Sequence, residues 1–269
     1  MKKKKAGCIG MGVMGSALME SIIRVAGAEE MIVFDSDKDK ARDFAERTGC
    51  TLAGSGAEVA SSADYVFLAV KPQFLNPVLA EISGHLDTET VLVSMAAGIK
   101  IDHIKKRVDR HPKVIRIMPN MPAAVNMAMI AIAPDAAVPD ETIEELERLL
   151  SAAGLTERTA ESLMDAFTAV SGSGPAYGFI FIEALADAGV RMGIPRAQAI
   201  RYAAQTLKGA AEMVIRTDEH PGELKDRVCS PGGTTIAAVT KLEEKNFRSA
   251  VIESALAAWE RSKELGKSE

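Results

Sequence analysis

Three glycines, Gly10, Gly12 and Gly15, stand at the spacing G-x-G-x-x-G, with Met11, Val13 and Met14 between them. The spacing alone also suits a structural glycine turn. Its surroundings are more restrictive. The apolar run "AGCI" precedes it, a helix-forming stretch over 15–26 follows, and a second apolar run, "EMIVFD", ends in Asp35. A strand, a glycine turn, a helix and a second strand closed by an acid form the unit that holds a dinucleotide. In that reading Gly10 permits the tight turn, Gly12 lets the backbone approach the pyrophosphate, and Gly15 lets helix and strand pack closely. The free N–H groups at the helix start then receive the phosphates.

Asp35 bears on which nicotinamide is used. An acid at the end of the second strand accepts hydrogen bonds from a ribose 2′-hydroxyl and repels a 2′-phosphate, which favours NAD over NADP. The segment "DSDKDK" also suits a solvated turn, with Lys38 and Lys40 available to answer a phosphate. NADH and NADPH therefore both remain open as cofactors.

The alternation continues beyond this unit. A helix is expected over 37–48, and "DYVFLAV" is short and wholly apolar, as befits a strand buried on both faces. "TVLVSMAA" and "KVIRIMP" repeat the pattern with the helix "KIDHIKKRV" between them, "AMIAIAP" adds a strand, and "DETIEELERLLSAAG" an amphipathic helix. This predicts a doubly wound parallel sheet, an α/β Rossmann dinucleotide-binding domain over residues 1–160. From 161 to 269 the pattern is all helical, with alanine-rich runs over 161–170, 175–193, 195–216, 221–229, 234–246 and 247–265. Pro195 and Pro221 fall where first-turn prolines belong.

The bulk properties fit two such domains. The 269 residues are 47% hydrophobic and 26% charged, as in ordinary globular chains. A net charge of −5 gives no overall attraction to nucleic acid or to an anionic membrane. Cys8, Cys50 and Cys229 are widely spaced and follow no metal or redox pattern, so no metal and a reducing cytoplasm are expected. The start "MKKKKAGCIGMGVMGSALM" has the basic and apolar regions of a signal peptide, and Ala26-Gly27-Ala28 could pass for its cleavage site. Four glycines in the run, with Glu20 and Arg24 after it, argue against that reading. The apolar stretch "AAVNMAMIAIAP" is too short to cross a bilayer and contains Asn126.

Ligands of doubly wound sheets sit beyond the carboxyl ends of the strands. Ala69-Val70-Lys71-Pro72, Ala96-Ala97-Gly98 and the Asn120 of "MPNMP" fall at such ends. Lys71 could meet a phosphate or a substrate carboxylate, or could simply be solvated. Asn120 could line a pocket or form a turn.

The helical half is informative for what it lacks. A nicotinamide enzyme reducing a ketone must protonate a developing alkoxide, and many two-domain dehydrogenases of this shape use a lysine on the first long helix of the second domain. No lysine lies between Lys113 and Lys208. His85, His103 and His111 read as surface residues of the first domain, His220 as part of a helix-start loop, and Tyr177 and Tyr202 as packing. An imine substrate explains the absence, because hydride transfer to an iminium carbon yields a neutral amine and no alkoxide. Such a site needs orientation, a partner for the N–H and a cradle for a carboxylate. "SPGGTT", residues 230–235, suits those needs. Gly232 and Gly233 expose backbone N–H groups, Thr234 begins a helix whose N-terminus favours an anion, and the Thr235 hydroxyl donates or accepts. A helix break capped by Thr234 would account for the same residues.

The chain resembles the pyrroline-5-carboxylate reductase family over almost its whole length. "IGMGVMG", "LAVKPQ", "RIMPNMPA", "SGSGPAY", "DAGVRMG" and "LKDRVCSPGGTTIAA" occur in the family's order and spacing, and the last is the most specific. The resemblance implies reduction of Δ1-pyrroline-5-carboxylate to L-proline with NADPH or NADH, the final step of proline biosynthesis. It also implies helical domains interlocked into a homodimer, often within a decamer. Gly10 to Gly15, Ala69 to Pro72 and Ala96 to Gly98 would hold the dinucleotide. The substrate would lie at the dimer interface on the turn from Ser230 through Gly232, Gly233 and Thr234 to Thr235, whose hydroxyl would face the ring nitrogen. Asp218 or Glu219, just before the His-Pro-Gly turn, would supply an acid near that site, and Ser173 would stand where the two domains meet. Three positions depart from the family's pattern. Met121 stands where threonine is common, Gly56 where an asparagine often touches the adenosine side of the cofactor, and Asp35 runs against the usual NADPH.

Two other readings share part of this sequence. A hydroxyacid-type dehydrogenase has the same architecture, but the missing lysine counts against it. A non-catalytic dinucleotide-binding redox sensor would not need the substrate turn.

Overall fold

The computed structural model describes residues 3–266. By packing they form two units: the chain up to Ser173 together with the segment from Ala258 onward, and Gly174–Ala257.

The first unit is built on eight strands: β1 (Lys4–Ile9), β2 (Met31–Phe34), β3 (Thr51–Leu52), β4 (Ala63–Leu68), β5 (Val91–Ser94), β6 (Lys113–Met118), β7 (Ala128–Pro134) and β8 (Gly154–Arg158). They lie in the order β3-β2-β1-β4-β5-β6-β7-β8. The strand order reverses between β1 and β4, which makes that edge the switch point where ligands of such sheets bind. The strands β1, β2, β4, β5 and β6 divide their side chains between two cores by the alternation of the pleat. Cys8, Val33, Phe67, Val93 and Ile115 face one core with Leu18 and Met19 of α1 (Val13–Ala26) and Leu146 and Leu149 of α6 (Asp140–Leu150). Ile9, Ile32, Leu68, Leu92 and Val114 face the other. There they meet Val59 of α3 (Gly56–Ser62), Leu75 and Leu79 of α4 (Pro72–Ile82), and Ile104 of α5 (Ile101–Lys105). The remaining helix, α2 (Lys38–Thr48), adds Phe44 to the first core.

The sheet is not wholly parallel, as the alternation predicts; β7 runs antiparallel to β6. The connection over 119–127 is too short for a helical crossover. It turns through a 3-10 segment, Met121–Val125, ending on Asn126 in the left-handed conformation at φ 60°. The return from β7 to β8 through α6 restores a parallel pair. β3 and β8 carry no sequence signal of their own: β3 is two exposed residues, and the largely exposed β8 forms an edge. The helices α3 and α4 also go beyond the sequence pattern. Pro72 stands at the first position of α4, as helix-start chemistry prescribes.

Beyond β8, α7 (Met164–Phe167) passes into a π-helical turn, Thr168–Gly172. The Asn120 side chain clamps this turn, its amide donating to the Ser171 carbonyl and hydroxyl, both at 3.1 Å, while its oxygen accepts from Met129 N–H. Residues from Ala258 onward complete the unit, with the Ser262 hydroxyl 2.7 Å from the Asp165 carboxylate.

The second unit is helical throughout: α8 (Gly174–Arg191), α9 (Arg196–Thr217), α10 (Pro221–Val228), α11 (Thr234–Glu244) and the start of α12 (Phe247–Leu265). Pro195 stands one residue ahead of the helix, as its N-cap, while Pro221 is the first residue of α10. α8 and α9 meet through small residues, Ala186, Ala199 and Ala203, and a Cβ on Gly189 would lie 3.2 Å from that of Ala199. Many apolar side chains of this unit remain outside, including Phe179, Ile180, Met192, Ile215 and Ile252, each more than half exposed. Among the described residues no helix is long and apolar enough to cross a membrane.

Phe67 is wholly buried at the centre of the sheet. Phe67→Ala is expected to cost about 3–5 kcal/mol of stability, read as a lower urea midpoint with an unchanged slope.

Candidate functional site

The nucleotide loop is shaped by contacts that leave no room for side chains. Gly10 has φ +104°, a conformation that favours glycine, and a Cβ there would lie 2.6 Å from the Ala69 carbonyl oxygen. A Cβ on Gly15 would lie 2.2 Å from the Gly10 carbonyl oxygen. Gly12 differs, because a Cβ there would meet nothing within 4 Å. It is the N-cap of α1 and offers no side-chain cap, and the first turn of that helix carries no acid. The N–H groups that open α1 therefore face open space beside a positive helix end, which suits a pyrophosphate. Gly10 and Gly15 thus make the tight turn and the close helix packing that the spacing predicts, while the backbone at Gly12 is left open.

Around the loop the strand ends are stitched together. Gly10 N–H donates to the Phe34 carbonyl at 2.8 Å, Ala69 N–H to Ile9 at 2.9 Å and Met95 N–H to Leu68 at 3.3 Å. This brings Gly10 and Ala69 to the same rim, with Ala96 to Gly98 following β5 on that side. Lys71, the N-cap of α4, is exposed there and Pro72 follows it. Cys8 lies beneath the loop with its thiol 3.3 Å from the Gly10 carbonyl. Burial foremost, then the charges of Asp35 and Cys50, push that thiol far above its ordinary range, so it stays protonated.

Asp35 is part of the loop as well as of β2's end. Its Oδ2 accepts from Met11 N–H at 2.5 Å and its Oδ1 from Asp37 N–H at 2.8 Å. Beside it lies a cavity of about 230 Å³ bordered by Phe34, Lys38, Arg42, Leu52 and Gly54. Lys40 pairs with Asp37 at 3.0 Å. The hydrogen bond between them lowers the Asp37 carboxyl and raises the Lys40 ammonium from their ordinary values. Gly56 begins α3, and a Cβ there would lie 3.0 Å from the Glu81 carboxylate, which also accepts from Ala57 N–H at 3.2 Å. A larger residue at 56 would have to displace Glu81.

Met121 is 58% exposed on its 3-10 turn. Asn120 is buried with every polar atom of its amide engaged inside the fold, so its visible work is to hold Ser171. Ser173 follows the π-helical turn, its N–H bonded to the Thr168 carbonyl at 2.8 Å.

In the second unit, the "SPGGTT" segment forms a tight turn and a helix start. Gly233 N–H donates to the Ser230 carbonyl at 3.0 Å, with Pro231 and a left-handed Gly232, φ +67°, between them. A proline followed by a left-handed glycine is the type II pattern. The N-cap of α11 is Gly233, not Thr234, and it supplies no side-chain cap. Thr234 begins the helix, as one sequence reading has it, and the reading in which it caps the helix gives way to Gly233. The Gly233 N–H closes the turn rather than facing outward, which corrects the expectation that it is exposed. The N–H groups of Gly232, Thr234, Thr235 and Ile236 have no partner among the described residues, while that of Ala237 donates to the Gly233 carbonyl at 3.4 Å. The Thr235 hydroxyl likewise makes no hydrogen bond to the described residues, whereas those of Thr217 and Thr240 fold back onto the carbonyl four residues earlier.

His220 serves as the N-cap of α10, its Nδ1 accepting from Gly222 N–H at 3.0 Å. Asp218 closes α9 in the left-handed conformation at φ 54°, and its carboxylate is exposed. Glu219 instead forms a two-pronged pair with Arg227 of α10, a partner that only the folded geometry reveals. α8 carries Tyr177, Glu183 and Asp187 but no lysine. Among the described residues, no group of three or more His, Cys, Asp or Glu side chains is placed to hold a metal ion.

A glycine loop at the switch point of a Rossmann-type sheet, followed by a helical unit, defines the class of two-domain nicotinamide-dependent oxidoreductases. Residues 5–98 match the family model for NADP oxidoreductase, coenzyme F420-dependent, and residues 161–265 match the one for pyrroline-5-carboxylate reductase dimerisation. The pyrroline-5-carboxylate reductase of Escherichia coli (strain K12) is 44% identical over 99% of this chain and 100% of that protein. The Synechocystis sp. enzyme of the same name is 44% identical over 97% of this chain and 98% of that one. Among solved structures, the Plasmodium falciparum pyrroline carboxylate reductase with NADP bound is 32% identical, covers 99% of both chains and superposes with a TM-score of 0.88. The reductase of Coxiella burnetii superposes at 0.90 with 31% identity, covering 98% of this chain and 99% of that one. This chain belongs to the pyrroline-5-carboxylate reductase family.

Gly15→Ala forces a methyl group against the Gly10 carbonyl. The variant is expected to lose most of its dinucleotide binding, at least about 10-fold for a loss of some 1.4 kcal/mol or more, measured by quenching of its intrinsic fluorescence on titration with NADH.

Proposed function

We propose that this chain reduces Δ1-pyrroline-5-carboxylate to L-proline with NAD(P)H, closing proline biosynthesis. The observation that carries the reading is the turn before α11, with its uncapped helix start and its unpaired Thr235 hydroxyl, in a chain that matches these reductases from end to end.

The bound dinucleotide supplies a hydride, and the protein's residues hold and orient the acceptor. Gly10 and Met11 set the turn, their N–H groups bonded to Phe34 and Asp35, and Gly12, Val13, Met14 and Gly15 take the pyrophosphate on the N–H groups that open α1. Ala69, Val70, Lys71 and Pro72 and the Ala96 to Gly98 segment line the rim along which the rest of the cofactor lies. Asn120 works from behind, fixing the π-helical turn that leads to Ser173.

The substrate carboxylate sits on the N–H groups at the start of α11, where the helix end favours an anion. Ser230 and Pro231–Gly232 set the turn, and Gly233 leaves the helix start uncapped. Thr234 and Thr235 supply N–H groups, and the Thr235 hydroxyl bonds the ring nitrogen. As hydride reaches the iminium carbon, the C=N electron pair moves onto nitrogen and gives a neutral secondary amine. No protein acid is needed for that step, which accords with an α8 free of lysine. Of the two acids before the His-Pro-Gly turn, Asp218 has no side-chain partner among the described residues and is the one assigned to meet the amine after transfer, since Glu219 is held by Arg227.

The family's dimerisation domain makes self-association part of the reading, and the exposed apolar residues of the helical unit give it a surface. We place the enzyme in the cytoplasm as a homodimer that assembles into a decamer. Light scattering should then give ten times the 28.6 kDa chain mass; a monomer would overturn the assembly.

The test of function is oxidation of NADH or NADPH by purified protein with pyrroline-5-carboxylate present. Binding of dinucleotide without turnover would refute the proposal. Thr235→Ala should lower kcat/KM by roughly 10- to 100-fold, the cost of one hydrogen bond to a charged or polar substrate, while leaving NADH binding unchanged. Unchanged kinetics would remove Thr235 from the site.

A further inference from the structure

The cavity beside Asp35 is built unevenly for charge, and that asymmetry bears on which nicotinamide dinucleotide the enzyme takes. Phe34, Leu52 and Ala53 give it apolar walls, and it opens next to the glycine loop through the bond from Met11 N–H to Asp35. An adenosine moiety leaving the pyrophosphate at Gly12 enters it at the carboxylate. Two backbone N–H groups fix that carboxylate, so it cannot swing away from a ligand. Oδ2 accepts the Met11 N–H alone and keeps a lone pair for a ribose hydroxyl, while Oδ1 accepts from both Asp37 N–H and, at 3.5 Å, the Ser36 hydroxyl.

The basic residues nearby do not offset this charge. Arg42 borders the cavity but is paired with Asp39, and Lys40 is paired with Asp37. Lys38 alone among these has no carboxylate partner among the described residues. On the opposite wall, Gly54 N–H donates to the Glu58 carboxylate at 2.7 Å, bringing a second acid to that side. A 2′-phosphate placed here would face a fixed Asp35 carboxylate with Lys38 as its sole uncommitted counter-charge.

We infer that this enzyme discriminates in favour of NADH over NADPH, and that Asp35 is the residue that sets the preference. The inference rests on the dinucleotide site of the proposed function and is tested independently of turnover. NADH and NADPH are titrated separately against the wild-type protein without pyrroline-5-carboxylate, following the enhancement of nicotinamide fluorescence. NADH is expected to bind at least about 10-fold more tightly, as repulsion worth some 1.4 kcal/mol or more dictates. Asp35→Asn keeps an acceptor for Met11 N–H while removing the charge, and should reduce the ratio by about 10-fold or more. Asp35→Ser should act in the same direction. Lys38→Ala should weaken NADPH only and leave NADH unchanged.

Equal or tighter binding of NADPH by the wild type would overturn the inference, as would an unchanged ratio in Asp35→Asn. Steady-state rates with both cofactors separate the two proposals. A binding preference without turnover of pyrroline-5-carboxylate would sink the reductase reading and leave the cofactor inference standing. Turnover with no preference would do the reverse.

Discussion

The close passage of three backbone segments at Gly10, Gly15 and Ala69 is the contact on which the first unit depends. A methyl group on either glycine would collide with a carbonyl oxygen. With no side chains in the way, the end of β1 seats against the end of β4 and the start of α1 points its N–H groups outward. The three N–H to carbonyl bonds that tie β2, β1, β4 and β5 at this rim follow from the same fit. Packing and ligand geometry are therefore one property here. What holds the sheet in register also clears the space a pyrophosphate needs.

The helical unit uses a related device with different chemistry. A proline and a left-handed glycine fold the chain back, and the N-cap position of α11 is filled by a residue without a side chain. A serine, threonine or aspartate cap would stabilise such a helix over glycine by only a few tenths of a kcal/mol, about 0.3. Gly233 forgoes that small gain and leaves the N–H groups of Thr234, Thr235 and Ile236 without a partner among the described residues. A little local stability is given up at the turn to which the proposed function assigns the substrate, a pattern common at functional sites.

Much of this arrangement is legible in the sequence, and the misses have definite causes. The G-x-G-x-x-G spacing and the apolar runs around it announced β1, α1 and β2, because burial on both faces writes an unbroken apolar signal. β3 and β8 escaped notice because edge strands with exposed side chains carry no such signal. The antiparallel β7 was hidden by its own apolar run, whose direction depends on the length of the connection before it rather than on its composition. At the site, the glycines and Thr235 could be singled out from residue type alone. The anchoring of Asp35 by Met11 N–H, the Glu219–Arg227 pair and the clamp of Asn120 on Ser171 could not. Each joins residues whose proximity is created by the fold. The capping role given to Thr234 failed by one residue, since glycine can hold an N-cap conformation without contributing a bond.

The return of the last turns of α12 to the first unit makes the helical unit an insertion within a discontinuous domain. Its chain leaves after Ser173 and comes back at Ala258, where Ser262 meets Asp165 and the backbone of Gly266 approaches Gly98. The nucleotide-binding half therefore cannot be isolated by cutting at a single point, because its two pieces flank the helical unit in sequence. The Ala96–Gly98 rim therefore depends on a segment that lies far along the chain, beyond the whole helical unit.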